Sequence, residues 1–197
     1  MKLHLLKYGS LPLFFAIGLL GSSCAVNPQP YADLKKAQQS QPAPPDYVSF
    51  WIGDSLEGSP SVRISLAKKR AYLYKGDELA GVSLISTGRE WTSPATGNFR
   101  ILEKDAKHRS SLYGDYVNGA GSIVHKNVDT RRDPRPKGTR FVGASMPRFM
   151  RIGNGIGLHE GFLPGYPDTH ASIGMPAYMA AAFFRTVSVG TPVSIEP

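Results

Sequence analysis

Three short stretches near the middle of the chain alternate apolar and polar residues, and this most narrowly limits what the chain can fold into. Between Ser61 and Leu66, Val62, Ile64 and Leu66 fall on one side, with Arg63 and Ser65 on the other. Ala71 to Tyr74 and Leu79 to Ser86 follow the same period of two, separated by Lys75, Gly76 and Asp77. A two-residue period belongs to a half-buried strand, and a glycine between two such runs marks a turn. The domain therefore opens with an antiparallel meander. Phe99 to Leu102, Ser122 to His125 and Val187 to Ile195 are further strand candidates, the last interrupted by Gly190, Thr191 and Pro192. Pro176 to Thr186 is the one clear helix: proline suits a helix start, and Tyr178, Met179, Ala182 and Phe183 share a face. Residues 129–140 hold five Arg or Lys and two Pro, which reads as an exposed loop.

Upstream, the chain changes character. Lys2 and Lys7 precede an apolar run from Leu11 to Leu20, then small residues, then Cys24. That is the layout of a bacterial signal peptide, and the run is short for a membrane span. Cys24 is the one cysteine in 197 residues, so no intramolecular disulfide can form. Its place just after the small residues is that of a lipidated cysteine. Gly21 stands where a lipoprotein signal usually has leucine, and ordinary secretion is the alternative. Residues 25–46 are rich in Gln, Pro, Ala and Ser and cannot bury a core. The expected organisation is a signal peptide over 1–23, a disordered tether over 24–47, and a folded domain over 48–197.

The formal net charge is +8, which suggests anionic partners. No zinc-finger spacing, RNP motif or basic heptad helix points to nucleic acid, and an anionic envelope surface accounts for the charge. His159, Glu160, Asp168 and His170 are ligand types, but they lack His-Glu-x-x-His spacing and the domain has no cysteine, so no metal or other cofactor is expected. His108 and His125 read as surface or loop residues, and Trp51, Trp91, Tyr113 and Tyr116 as core aromatics or groove walls.

Three segments carry a family resemblance. Residues 61–74, SVRISLAKKRAYLY, are similar to the opening hairpin of the L,D-transpeptidase (YkuD) family. Ser86-Thr87-Gly88 followed by Ser93 to Phe99 resembles that family's "STG…TPxGxF" segment. Residues 157–176, GLHEGFLPGYPDTHASIGMP, resemble its signature "HxG…PGxPxSHGC(I/V)R(M/L)P". The resemblance covers residues 48–196 and implies a mainly β domain, a β-sandwich or barrel with one main helix near the C-terminus. It also implies an envelope acyltransferase acting on peptidoglycan stem peptides; the N-terminal signal layout adds the expectation of a membrane anchor through Cys24, facing the periplasm or cell wall, and no nucleic-acid partner is expected.

The signature is altered where its chemistry lies. Ser172 stands in place of the nucleophilic cysteine, Ala171 in place of glycine, and Gly174 in place of the arginine two residues on. The resemblance makes His159 the base and gives His170, Ala171, Gly174 and Tyr166 to the substrate side. His170 reads better as a brace for the loop than as a second base. Glu160 or Asp168 are candidates to orient His159, and Arg148 or Arg151 to replace the missing cation. Backbone amides near Ser172 are candidates for an oxyanion hole, with the helix after Pro176 adding its dipole. Three readings stay open: an acyltransferase using Ser172, a catalytically inactive peptidoglycan-binding lipoprotein of the same fold, and a serine amide hydrolase or carboxypeptidase of the envelope.

Overall fold

The computed structural model describes residues 45–87, 94–153, 156–161, 163 and 172–197. Cys24, the signal-peptide region and most of the tether lie outside the described residues, as do Trp91, Tyr166, Asp168, His170 and Ala171.

The meander is present. After β1 (Phe50–Trp51) and a 3-10 turn (Gly53–Ser55) come β2 (Pro60–Ser65), β3 (Arg70–Lys75) and β4 (Glu78–Leu84). Gly76 takes a positive φ of 59° as the first central residue of the β3–β4 turn, which a two-residue hairpin loop favours. Beyond them lie β5 (Gly97–Arg100), β6 (Glu103–Asp105), β7 (Arg109–Val117), β8 (Ile123–Asp129), β9 (Arg140–Ser145), β10 (Phe149–Gly153), β11 (Ile156–Glu160) and β12 (Ile173–Met175). The helix α1 (Ala177–Thr186) and the strand β13 (Pro192–Glu196) end the domain.

The strands form a six-stranded sheet in the order β1-β4-β3-β2-β13-β5, a four-stranded sheet β12-β11-β10-β6 and a three-stranded sheet β8-β7-β9. These sheets are open, so of the two expected forms the sandwich holds and the barrel does not. The last strand, β13, enters between β2 and β5, parallel to the first and antiparallel to the second. Val62 and Ile64 of β2, Leu73 of β3, Val193 and Ile195 of β13, Met150 and Ile152 of β10, Leu158 of β11, and Met179 and Phe183 of α1 close into one core. The period of two read in the sequence is thus the division between this core and the outer face of the larger sheet.

Three expectations are corrected. The helix begins one residue late, because Pro176 keeps an extended ψ of 145° and serves as the N-cap. Tyr178 does not share the buried face; it is half-exposed, and its hydroxyl donates to the carbonyl of Ser49 at 3.2 Å. The buried stripe is Met179, Ala180, Ala182 and Phe183, and Tyr178 lies to one side of it. The final strand starts at Pro192 rather than Val187. Residues 188–191 form a turn, with Gly190 at φ 92° and Thr191 N–H donating to Ser188 O at 3.0 Å.

Among the described residues, the aromatics Trp51 and Tyr116 serve structure. Trp51 packs against Phe183 with ring centroids 6.4 Å apart. Tyr116 is buried and donates its hydroxyl to Asp133 O at 2.8 Å. Residues 130–139 form the exposed basic turns expected, and Arg131 is tied there to Asp129 and the Tyr113 hydroxyl.

Candidate active site

β11 and β12 build the site. They run parallel, with Leu158 opposite Ile173, His159 opposite Gly174 and Glu160 opposite Met175. Parallel neighbours need a crossover of about a dozen residues, and residues 161–172 supply it. This geometry brings His159, near the end of one strand, to Ser172, just before the next. Both are buried, at 7% and 6% exposure. Nε2 of His159 lies 3.0 Å from Oγ of Ser172.

The other ring nitrogen sets the tautomer. Nδ1 of His159 is 2.6 Å from the main-chain carbonyl oxygen of Glu160. A carbonyl only accepts, so Nδ1 carries the proton and donates. The lone pair is then on Nε2, and the Ser172 hydroxyl donates to it. Burial lowers the His159 pKa below the ordinary imidazole value of 6.5, the Glu160 carbonyl opposing this more weakly. The ring is therefore neutral at neutral pH.

Glu160 thus orients the histidine through its backbone, not through the carboxylate that the sequence offered. That carboxylate pairs with Arg148. Arg148 has a positive φ of 56°, and Glu160 N–H donates to Pro147 O at 2.9 Å, so the β9–β10 turn is fastened to the end of β11. Arg151 pairs with Glu103 at 2.8 Å. Both candidate replacements for the missing cation are therefore already matched by a carboxylate. As the register partner of His159, position 174 faces the same side of the sheet as the imidazole. Glycine there contributes backbone alone: Gly174 exchanges two 2.9 Å hydrogen bonds with Ser86. That bridge docks the Ser86-Thr87 segment beside β12, where buried Thr87 meets Lys69 Nζ at 2.9 Å.

Three residues of extended chain, Ile173 to Met175, separate Ser172 from Pro176, and the four steps span roughly 13 Å at the strand rise. A helix dipole acts mainly within the end turn, so α1 is not a strong contributor at Ser172.

His108 was not legible as part of this neighbourhood. It stacks on Phe149 with centroids 4.1 Å apart and an interplanar angle of 13°, and donates toward Asp105 Oδ2 at 3.3 Å. Phe149 in turn lies 6.5 Å from the His159 ring. Gly157 makes this possible: a Cβ there would fall 2.3 Å from the Phe149 ring. No local motif links His108 to His159; the pairings of β6 and β11 with β10 join them.

The sequence profile of the L,D-transpeptidase catalytic domain, YkuD, matches residues 59–195. The chain belongs to the L,D-transpeptidase catalytic domain family. Solved L,D-transpeptidases share the fold at low identity. L,D-transpeptidase 1 of Mycobacterium tuberculosis has a TM-score of 0.50 at 15% identity, over 71% of this chain and 62% of the other. The Mycobacterium smegmatis enzyme has a TM-score of 0.53 at 15% identity, over 71% and 59%. The Xylanimonas cellulosilytica enzyme has a TM-score of 0.51 at 17% identity, over 86% and 70%. The match thus spans about 60% of the length of the two mycobacterial structures. No curated protein sequence matches.

Proposed function

We propose that the protein is a cell-envelope acyltransferase of the L,D-transpeptidase type that acts on peptidoglycan stem peptides, with Ser172 as nucleophile and His159 as base. The observation that carries this reading is the 3.0 Å Ser172–His159 contact with a tautomer that leaves Nε2 as acceptor.

A thiol beside histidine can react as a preformed thiolate. A hydroxyl stays protonated and must lose its proton during attack. The buried, neutral imidazole suits the second case: desolvation disfavours an imidazolium in the ground state, and Nε2 is unprotonated. As Ser172 Oγ bonds to a donor-peptide carbonyl carbon, its proton passes to Nε2. The tetrahedral intermediate collapses with loss of the terminal D-residue, whose amine takes that proton. An acceptor amine then attacks the acyl-serine, with His159 as base again, and Ser172 recovers its proton through the imidazole. Water in place of the amine gives carboxypeptidase-type hydrolysis. Backbone amides around Ala171 and Ser172 are the proposed oxyanion donors, and Tyr166, His170 and Gly174 the proposed substrate contacts.

We place the protein outside the cytoplasm, tethered through residues 24–47 to a membrane by a lipidated Cys24. The basic start, apolar run and following cysteine support that reading. Mass spectrometry of the mature N-terminus checks it: an acylated Cys24 is expected, and an unmodified start elsewhere overturns it.

One feature favours the second reading, a peptidoglycan-binding domain without chemistry: both the signature cysteine and the signature arginine are replaced, by Ser172 and Gly174. Incubation of the full chain with tetrapeptide-stem muropeptides separates the two. Wild type is expected to release the terminal D-residue, and Ser172→Ala to be at least ~10³-fold slower. An inert wild type that nonetheless binds muropeptide establishes the binder instead.

A further inference from the structure

A second site lies on the larger sheet. Alternation along β2 and β13 sends Val62, Ile64, Val193 and Ile195 to the core, and Arg63 and Ser194 to the opposite face. The registers set Tyr72, Arg63, Ser194 and Asn98 in one row across four adjacent strands. Arg63, Ser194 and Asn98 of this row line a groove of about 880 Å³ that also takes in Tyr74 and Arg100. None of its lining residues belongs to the His159–Ser172 site.

The chemistry of the groove is incomplete as it stands. The Arg63 guanidinium lies over the rings of Tyr72 and Tyr74, at 4.9 and 5.8 Å from their centroids. These contacts hold it flat. Among the described residues its buried Nε–H has no hydrogen-bond partner and the guanidinium has no ion pair. Arg100 adds a second cation, one of whose N–H groups donates to Gly190 O at 2.9 Å. Among the described residues, no acidic side chain lines the groove. A planar guanidinium whose two terminal amino groups stay accessible and take no hydrogen bond among the described residues, in a groove that also holds a second cation and an amide side chain, matches a carboxylate, which accepts two parallel N–H bonds.

We propose that this groove is a non-catalytic subsite for a carboxylate of the peptide substrate, resting on the peptidoglycan reading above. It would hold a second peptide of the polymer away from Ser172 and so raise the local concentration of stems around the reacting centre.

The test follows the arginine Nε–H signals of the full-length chain by nitrogen-15 NMR, with Arg63→Lys assigning the Arg63 signal. A tetrapeptide muropeptide is expected to shift that signal saturably, in wild type and in Ser172→Ala alike. The same muropeptide with its carboxylates amidated is expected to leave it unmoved. Arg63→Lys keeps the charge but loses the fork, and should weaken binding about tenfold. Exposed Arg100→Gln should weaken it a few-fold, and it carries the test if the Arg63 variant does not fold. Equal shifts with the amidated ligand overturn the proposal. So does acetate binding as tightly as the muropeptide, which makes the groove a site for small free anions. Turnover with no shift at Arg63 sinks the subsite and leaves the reaction standing. A shift at Arg63 without turnover supports the subsite and removes the catalytic reading.

Discussion

Nδ1 of His159 donates to the carbonyl oxygen of Glu160 at 2.6 Å, and this single bond decides what the opposite nitrogen can do. It leaves Nε2 to accept from Ser172. Replacing His159 with alanine removes the acceptor while keeping the hydroxyl. The loss expected in kcat/KM is ~10²–10⁴-fold, the usual contribution of a positioned base. Steady-state turnover of a tetrapeptide muropeptide measures it, and a loss below about threefold argues against His159 as base.

Activity should fall on the acid side only at a pH below 6.5, because burial lowers the pKa of His159 and the reaction needs its neutral form. Stability responds with the same sign. Above 6.5 the ring is neutral whether folded or unfolded. Below it the unfolded chain takes up a proton that the buried ring refuses, so the unfolded state binds more protons and this contribution is lost as pH falls from 6.5 through the folded value. A pH profile of kcat/KM checks the first statement; an acid limb centred above 6.5 contradicts it.

If the carbonyl of Glu160 does the orienting, its carboxylate is dispensable for the chemistry. Glu160→Gln breaks the ion pair to Arg148, whose side chains are 31% and 40% exposed. At such exposure the cost is at most about 1 kcal/mol. The kcat of Glu160→Gln should stay within a few-fold of wild type, as expected for a side chain that makes no transition-state contact. A hundredfold fall in kcat with an unchanged melting temperature assigns the carboxylate a direct role instead.

Gly157→Ala tests the wall behind the histidine. Its methyl would overlap the Phe149 ring, which is buried between His108 and the site. Overpacking of this kind costs about 1–3 kcal/mol, read as a lower urea midpoint at constant m. An unchanged midpoint means the ring has room to move that the structure does not show.

The parts of the fold legible in the sequence are those where burial differs between the two faces of an element. β2, β3 and β13 alternate because one face meets the core, whereas β4 is buried on both faces from Ala80 to Ser83, and α1 shows its buried stripe at Met179 and Phe183. The β8-β7-β9 sheet left little trace because β8 is exposed from Ile123 to Asn127, so no alternation was selected along it. β12 was hidden for the opposite reason: its three residues are all buried and too few to show a period. At the site, the types of His159 and Ser172 and their thirteen-residue spacing were legible through the family signature. The orienting group was not, since a backbone carbonyl is present at every position. His108 was illegible because strand pairing, not spacing, brings it near. The carboxylates that pair with Arg148 and Arg151 were not legible either, because they come from β11 and β6, the strands that flank β10.

The central claim is that Ser172 forms a covalent bond to substrate. Intact-protein mass spectrometry of the full chain, quenched in acid after mixing with a tetrapeptide muropeptide, tests it most directly. Wild type is expected to carry an adduct equal to the muropeptide less its terminal D-residue, mapped by peptide digestion to Ser172 and absent from Ser172→Ala. Product formation with no adduct in wild type, or an adduct that persists in Ser172→Ala, contradicts it.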